Sequence, residues 1–460
     1  MSPTSASFAT SQDGPLVWTF VAWKSFLTLL TALCPGPGYD TSGLVLFGEI
    51  GHRHAAFPSS SYQDRIALNL FRWDSLYFVM AAKRGYRYEQ EWAFSWAYSK
   101  GLGALKDFVF GPTEDHVKYY IWSGFIVSNL FHLLSVLVLY RLIRRVMPPR
   151  ANNRIALVTA ILHVFSPAGL FLTAPYTESL FAALNFTGML HYVLAKQASS
   201  ASGAWTLSQD AYMLSSGAFF GLATLVRSNG LLSGVIFLFE VACSLPSFLT
   251  WKWELHDLRR TIITCVAGCF LFVGFVTPQV IAYQEYCASS DTTTDGRPWC
   301  EKQIPSIYSW VQRHYWNVGF LRYWTLSNLP LFLAAAPMLW LLSVSSLTVL
   351  REVQRRQSVG VPACQSPGAL GQASPEAKLC AFPQLALPQL ALAVTAATTF
   401  HVQIINRIAS GYPIWYMVIA EWIVNQSQNQ EKSRSSATFR WMFMYAIIQG
   451  VLFANFLPPA

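Results

Sequence analysis

Apolar stretches as long as a bilayer is thick recur along this chain, and that repetition limits the fold more than any single motif does. A helix needs about 20 mostly apolar residues to cross the hydrocarbon core. Windows of that kind lie at about 15–33, 121–140, 155–173, 179–195, 211–226, 230–246, 261–283, 327–349, 384–402, 412–425 and 440–457. The expected fold is therefore an all-α polytopic membrane protein with about 11 transmembrane helices. Windows 211–226 and 412–425 are short enough to be broken or re-entrant helices, which are tolerated only inside a bundle. Composition agrees, because only 12% of residues are charged, about half the roughly 25% of a soluble domain. The net charge of +9 then reads as membrane topology, and no nucleic-acid partner is expected.

Charge also orients the chain. One alternate set of connections holds 16 Lys and Arg and the short connections of the other set hold 6, so the first set is expected to be cytoplasmic. Segment 34–120 is too long to vote, and Lys24 interrupts the first span itself. No basic n-region or small-residue cleavage pattern precedes Trp18, so the first helix reads as a retained anchor with a cytoplasmic amino terminus. Eleven crossings leave the carboxyl terminus on the far side. The Ser/Pro/Gly/Gln-rich part of segment 350–383, from residue 357 on, reads as a flexible cytoplasmic linker. The whole of 1–460 is otherwise one integral membrane unit, with non-cytoplasmic loops at 34–120 and 284–326.

The first of these loops holds nine of the 23 acids. Within it, Tyr62 to Val79 mixes apolar and charged residues at helical spacing, the pattern of an amphipathic helix lying along a membrane surface. Asp74 sits among Trp73, Leu76, Tyr77 and Phe78. An acid so placed is open to two readings: a desolvated carboxylate suited to act as a base, or a structural group paired with Arg72 or capping a helix. Glu89 and Glu91 are rivals in the same loop, but each reads first as a solvated or salt-bridged surface acid.

Several strings in this sequence resemble the PIG-V family of glycosylphosphatidylinositol mannosyltransferases. Phe71-Arg72-Trp73-Asp74-Ser75-Leu76-Tyr77-Phe78 and then Arg84-Gly85-Tyr86-Arg87-Tyr88 resemble its first luminal loop. Phe165-Ser166-Pro167-Ala168-Gly169, Ala174-Pro175-Tyr176-Thr177-Glu178-Ser179, Arg227-Ser228-Asn229-Gly230, Arg297-Pro298-Trp299-Cys300, Tyr315-Trp316-Asn317-Val318-Gly319 and His401-Val402-Gln403-Ile404-Ile405-Asn406-Arg407 follow in one order along the chain. The resemblance implies a GT-C type glycosyltransferase of the endoplasmic reticulum membrane. Its implied activity is transfer of the second, α-1,6-linked mannose from dolichyl-phosphate mannose to the glycosylphosphatidylinositol (GPI) precursor. A β-linked donor and an α-linked product imply inversion by a single in-line displacement on the luminal side. The departing phosphate needs no proton, so one carboxylate base and a cationic phosphate site suffice, unlike the paired carboxylates of glycosidases.

These expectations assign residues. Asp74 is the expected base, because the family's Trp-Asp position lies in the first luminal loop. Arg227, Arg407, His401 and Arg322 are expected at the donor phosphate, since arginines at span ends stabilise developing negative charge; snorkelling to a lipid headgroup is the alternative for Arg227 and Arg407. Glu178 is expected to bind the acceptor or cap its helix through the dipole, and Arg72 and Trp73 join it on the acceptor side. No His, Cys or acid cluster has metal-ligand spacing, so neither metal nor other cofactor is expected. The partners implied are the two lipid-linked substrates and membrane lipid, with room for a small membrane-protein subunit.

Cys287 and Cys300 share one predicted luminal loop, where an oxidising compartment permits a disulfide; Cys364 and Cys380 lie in the linker and are expected to stay reduced. The spelled sequons at Asn185 and Asn425 fall in a span and at a cytoplasmic end, and neither is expected to be glycosylated. A polytopic lipid or sugar transporter fits the composition alone, but it should concentrate charge at the membrane midplane and carry repeated halves. A non-catalytic subunit of a glycan-assembly complex is the third reading, distinguished by whether Asp74 is needed for transfer.

Overall fold

The computed structural model describes residues 13–36, 43, 62–147, 152–202, 206–288, 297–358, 382–425 and 429–457, and every regular element among them is helical. In chain order the α-helices are α1 (Asp13–Leu33), α2 (Tyr62–Leu70), α3 (Asp74–Arg84), α4 (Trp96–Phe110), α5 (Val117–Val146), α6 (Asn152–Val164), α7 (Glu178–Ser202) and α8 (Leu207–Val226). They continue as α9 (Gly234–Leu249), α10 (Leu255–Tyr286), α11 (Ile307–His314), α12 (Leu329–Ser358), α13 (Leu387–Thr398), α14 (Ile405–Ile408), α15 (Ile414–Val424) and α16 (Asn429–Ala454). A helix lies in each apolar window of the sequence. Among the described residues, six helices are long and apolar enough to cross a membrane, and the windows at α6 and α15 hold shorter apolar helices. Residues 37–42, 44–61 and 359–381 lie outside the described residues, and with them Cys364, Cys380 and most of the expected linker.

Two windows differ from a continuous span. The 155–173 stretch stays α-helical only to Val164, then turns at Ser166-Pro167 and winds a 3-10 turn at Gly169–Leu172. Proline cannot donate the backbone bond that would carry the helix on, and Gly169 adopts φ +45, a region that L side chains avoid. The 384–402 window opens with a 3-10 turn at Pro383–Ala386 and is α-helical only from Leu387 to Thr398.

The expected single helix over 62–79 is also divided. Helix α2 stops at Leu70 and α3 starts at Asp74, with Trp73 between them at φ 54, ψ −127. A tryptophan held there stores roughly 1–3 kcal/mol of strain. Neither glycine nor proline marks the break in the sequence, so periodicity ran straight through it. The Trp73 ring stacks on Phe456 at 4.7 Å, and fully buried Arg72 donates to Asn69 Oδ1 at 3.1 Å.

Helix α8 packs closely on both α7 and α10. The approach to α10 is set by small residues: a Cβ on Gly217 would lie 2.5 Å from the Ala267 carbonyl oxygen, and one on Gly221 2.6 Å from that of Phe270. Backbones brought this near gain van der Waals contact that lipid cannot supply. Charges inside the bundle are partnered, as an apolar surrounding demands. Lys196 Nζ lies 2.9 Å from Glu240 Oε2, and Arg260 and the Tyr192 hydroxyl bind the same carboxylate. Lys24 donates to the Leu172 carbonyl at 2.7 Å and to Thr173 Oγ1 at 2.9 Å. Asn185 is consumed likewise, donating to the Gly411 carbonyl at 2.9 Å and accepting from Ser233.

Candidate active site

At one end of the bundle four charged side chains form a chain of ion pairs. Asp74 is the first residue of α3, Glu178 the first of α7, Arg227 the residue on which α8 ends, and Arg407 lies in the one-turn helix α14. Local rules explain each position. Both acids occupy helix first turns, where the dipole favours negative charge. Arg227 leaves the helix at φ −149, ψ 130, followed at once by a 3-10 turn over Ser228–Ser233. That turn needs Gly230, because a Cβ there would lie 2.6 Å from the Thr224 backbone nitrogen.

The geometry joins these four groups. Arg407 Nη2 lies 2.6 Å from Asp74 Oδ2, and Arg407 Nε lies 3.4 Å from Glu178 Oε1. Arg227 Nη1 donates to the same Glu178 oxygen and to Thr177 Oγ1, both at 2.8 Å. Two acids and two guanidinium groups balance formally. Glu178 is 1% exposed, whereas the Asp74 side chain keeps 28% of its surface open. The Arg407 guanidinium also lies over the rings of Phe171 at 5.0 Å and Tyr176 at 5.6 Å, favourable cation–π contacts.

Asp74, Thr177, Arg227 and Arg407 line a cavity of about 630 Å³. Its other walls come from Phe78, Trp92 and Phe94 on one side, and from Tyr308, Gln312, Arg313, Trp316 and His401 on the other. The volume falls within the range that takes a small-molecule ligand. His401 Nε2 bonds to the Trp316 carbonyl at 2.9 Å and its ring stacks on Tyr323 at 4.7 Å. Ser228 and Tyr308 share a hydrogen bond of 2.6 Å, and Asn229 donates to the Tyr412 hydroxyl at 3.2 Å.

The cavity thus gathers Asp74, Arg227, Arg407 and His401 from the candidate residues, with Glu178 directly behind the two arginines. Arg322 is exposed, its Nη1 3.5 Å from Asn317 Oδ1, and Arg72 and Trp73 pack against the Ala454–Phe456 end of α16; none of the three is in the cavity lining. The pairing of Asp74 is with Arg407, 333 residues on by the numbering, rather than with its neighbour Arg72.

The rival acids have structural partners. Glu91 binds Arg84 and the backbone N–H groups of Arg87 and Tyr88. Glu89 accepts from Arg297, from Trp299 Nε1 at 3.0 Å and from Trp310 Nε1 at 3.2 Å. Burial pulls the Glu89 carboxyl upward, but the bonds from Trp299 and Arg297 outweigh it and hold the group below the usual carboxylate range. This clamp ties the first loop to segment 297–310. The same segment is anchored by a Cys287–Cys300 disulfide with a Cα separation of 5.7 Å.

Sequence reasoning missed Tyr176, Thr177, Tyr308 and Trp316 as site residues. Each is a neutral side chain, and none stands out until the fold brings it to the cavity or to the charges on its wall. The first two were visible only as neighbours of Glu178 within one motif.

Comparison with known proteins identifies the family. GPI mannosyltransferase 2 of Aspergillus oryzae is 40% identical over 451 residues, covering 96% of this chain and 94% of that protein. The protein of the same name from Chaetomium globosum is 41% identical over 487 residues, covering 99% and 98%. Among solved structures, the apo oligosaccharyltransferase of Archaeoglobus fulgidus overlays with a TM-score of 0.49 at 12% identity, covering 94% of this chain and 56% of that one. The model of the Mannosyltransferase (PIG-V) family matches residues 13–460, and the chain belongs to that family of membrane glycosyltransferases.

Proposed function

We propose that this mannosyltransferase transfers the second, α-1,6-linked mannose from dolichyl-phosphate mannose to the GPI precursor. In this reading it works at the luminal face of the endoplasmic reticulum membrane, with eleven crossings and a cytoplasmic amino terminus. What supports the substrate assignment is the GPI mannosyltransferase 2 name of relatives that align over nearly the whole chain.

The observation that carries the mechanism is the Asp74–Arg407–Glu178–Arg227 chain on the wall of the cavity. In a single displacement the acceptor oxygen forms its bond to the mannose C1 as the C1–O bond to phosphate breaks. The bonding pair passes to the phosphate oxygen, and the acceptor's hydroxyl proton passes to the Asp74 carboxylate. One unit of negative charge therefore moves from Asp74 to the departing phosphate. Arg407, bound to Asp74 in the resting site, is the group that can follow that charge, with Arg227 beside it. Both are held in place beforehand, and preorganised charge is the largest source of such rate enhancement. Charge stabilisation falls to these two arginines.

Microsomes carrying Asp74→Asn, with lipid-linked intermediates resolved, test the reading. Accumulation of the one-mannose precursor with a normally accumulating protein is the expected result. Continued addition of the second mannose removes Asp74 as base, and accumulation of a later intermediate moves the protein to another step.

A further inference from the structure

Asp74 follows a residue whose backbone conformation tryptophan does not adopt unaided. At φ 54, ψ −127, Trp73 occupies the position that a type II′ turn reserves for glycine. One side chain from far along the chain bridges that turn. The Tyr176 hydroxyl accepts from the Asp74 N–H at 3.1 Å and donates to the Arg72 carbonyl at 3.1 Å, so it ties together the residues on either side of the strained one. Its ring is fully buried, flanked by Phe171 at 5.1 Å and Phe453 at 5.7 Å. Arg407, the ion-pair partner of Asp74, lies over that same ring.

We propose that Tyr176 is a positioning residue for the transfer reaction: its hydroxyl holds the Arg72–Asp74 turn so that the Asp74 carboxylate meets both the cavity and Arg407. This rests on the reading of Asp74 as the base. The two roles of Tyr176 separate by atom. The hydroxyl sets where Asp74 starts its helix, and the ring face seats the guanidinium. Strain next to a reacting group persists only where surrounding structure enforces it. The turn's own bonds run from the Ser75 N–H at 3.1 Å and the Ser75 hydroxyl at 2.7 Å to the Arg72 carbonyl, and the Tyr176 hydroxyl adds to them a tie from outside the turn that also holds the Asp74 N–H.

Tyr176→Phe removes the hydroxyl and leaves the ring. With dolichyl-phosphate mannose as the varied substrate in microsomes, kcat per folded protein is expected to fall about 10- to 100-fold, the cost of a carboxylate displaced by about 1 Å. The donor KM should stay within about twofold, because the seat of Arg407 is intact. Tyr176→Leu, which removes the ring as well, should raise the donor KM in addition. The diagnostic variant is Trp73→Gly in the Tyr176→Phe background: glycine holds the turn without strain, so kcat recovers at least several-fold over Tyr176→Phe. A tyrosine that merely fills the core would give no such rescue. If Tyr176→Phe accumulates poorly, the double variant alone carries the test, and its failure to exceed the activity of Tyr176→Leu overturns the proposal. Wild-type kcat in Tyr176→Phe with an inactive Asp74→Asn overturns the positioning role alone. An active Asp74→Asn overturns the base reading beneath it.

Discussion

Glu178 Oε1 receives two arginines at once, Arg227 Nη1 at 2.8 Å and Arg407 Nε at 3.4 Å. A single carboxylate, almost wholly buried, therefore spaces two cations on the cavity wall and keeps Arg407 from settling entirely on Asp74. Replacing it leaves two guanidinium groups facing one acid.

Glu178→Gln is accordingly expected to reduce kcat by about tenfold or more, the scale of losing one preorganised electrostatic contact. Glu178→Asp should fall between the two, because it keeps the charge and shortens the reach. Folded protein should lose roughly 1–3 kcal/mol, below the 3–5 of a fully buried pair since both arginines are partly exposed. Transfer assays at matched protein level, with melting in detergent, check both figures. A Glu178→Gln protein with wild-type kcat would show that the acid only caps α7.

Arg227 makes three contacts in a fork: Thr177 Oγ1, Glu178 Oε1 and, through Nε at 3.3 Å, Asn229 Oδ1. Lysine keeps the charge but not the planar fork. Arg227→Lys is therefore expected to raise the donor KM about tenfold. Arg322→Ala should leave it within twofold, because Arg322 is exposed and outside the cavity lining. Equal effects at the two positions would count against Arg227 as the phosphate contact.

The sequence made some of this legible for a definite reason. Asp74, Arg227 and Arg407 stand out because an isolated charge in an apolar run must be either paired or used, and the structure pairs Asp74 with Arg407 and both arginines with Glu178. The apolar windows located the helices because their lengths match a bilayer. What escaped depends on long-range geometry. The break at Trp73 carries no glycine or proline, so nothing local announces it; the Tyr176 hydroxyl that bridges it comes from 102 residues away. Glu89 and Glu91 are set apart from Asp74 by the partners that the fold brings to them, Arg297, Trp299 and Trp310 for the first and Arg84 with two backbone N–H groups for the second. Arg72 looked like the natural partner of Asp74, but the intervening turn points it to Asn69.

The close approach of α8 and α10 gives a third prediction. Gly221→Leu would drive a side chain into the Phe270 backbone, separating the helix that ends at Arg227 from the one whose Gly274, Phe275 and Pro278 line the cavity. Loss of most folded protein and of transfer is expected. Gly268 lies on the same helix α10, and a Cβ added there would meet nothing within 4 Å; Gly268→Ala should be tolerated, with up to about 1 kcal/mol gained from helix propensity. Comparable accumulation of the two variants would contradict the packing.

Glu89 links folding of the first loop to pH. Its carboxyl is depressed in the fold, so the unfolded loop binds a proton more readily than the folded one. The clamp's contribution is then complete above the unfolded carboxylate pKa and is lost as pH falls through the lower folded value. Proteolysis near 297–316 should accelerate on acidification in the wild type. In Glu89→Gln it should already be faster at neutral pH and respond less to acid. An unchanged acid response in Glu89→Gln would assign the effect to another group.

Lys24 is the base that the first span should not contain. Among the described residues it forms no ion pair with an acid; its ammonium donates to Leu172 and Thr173 at the end of the 3-10 turn that leads into Tyr176, Thr177 and Glu178. Ser179 Oγ donates to the same Leu172 carbonyl at 3.1 Å, so the segment is fastened from two sides. Lys24→Met keeps the length of the side chain and removes the donor, and it makes the span more apolar. Insertion and accumulation should therefore be normal, while a buried carbonyl loses one of its two donors, at about 1–2 kcal/mol. Transfer should fall several-fold. Ser179→Ala combined with Lys24→Met strips the carbonyl completely and should lose more than the two single effects together. Additive losses would mean that the two donors do not share the task of holding the segment before Glu178.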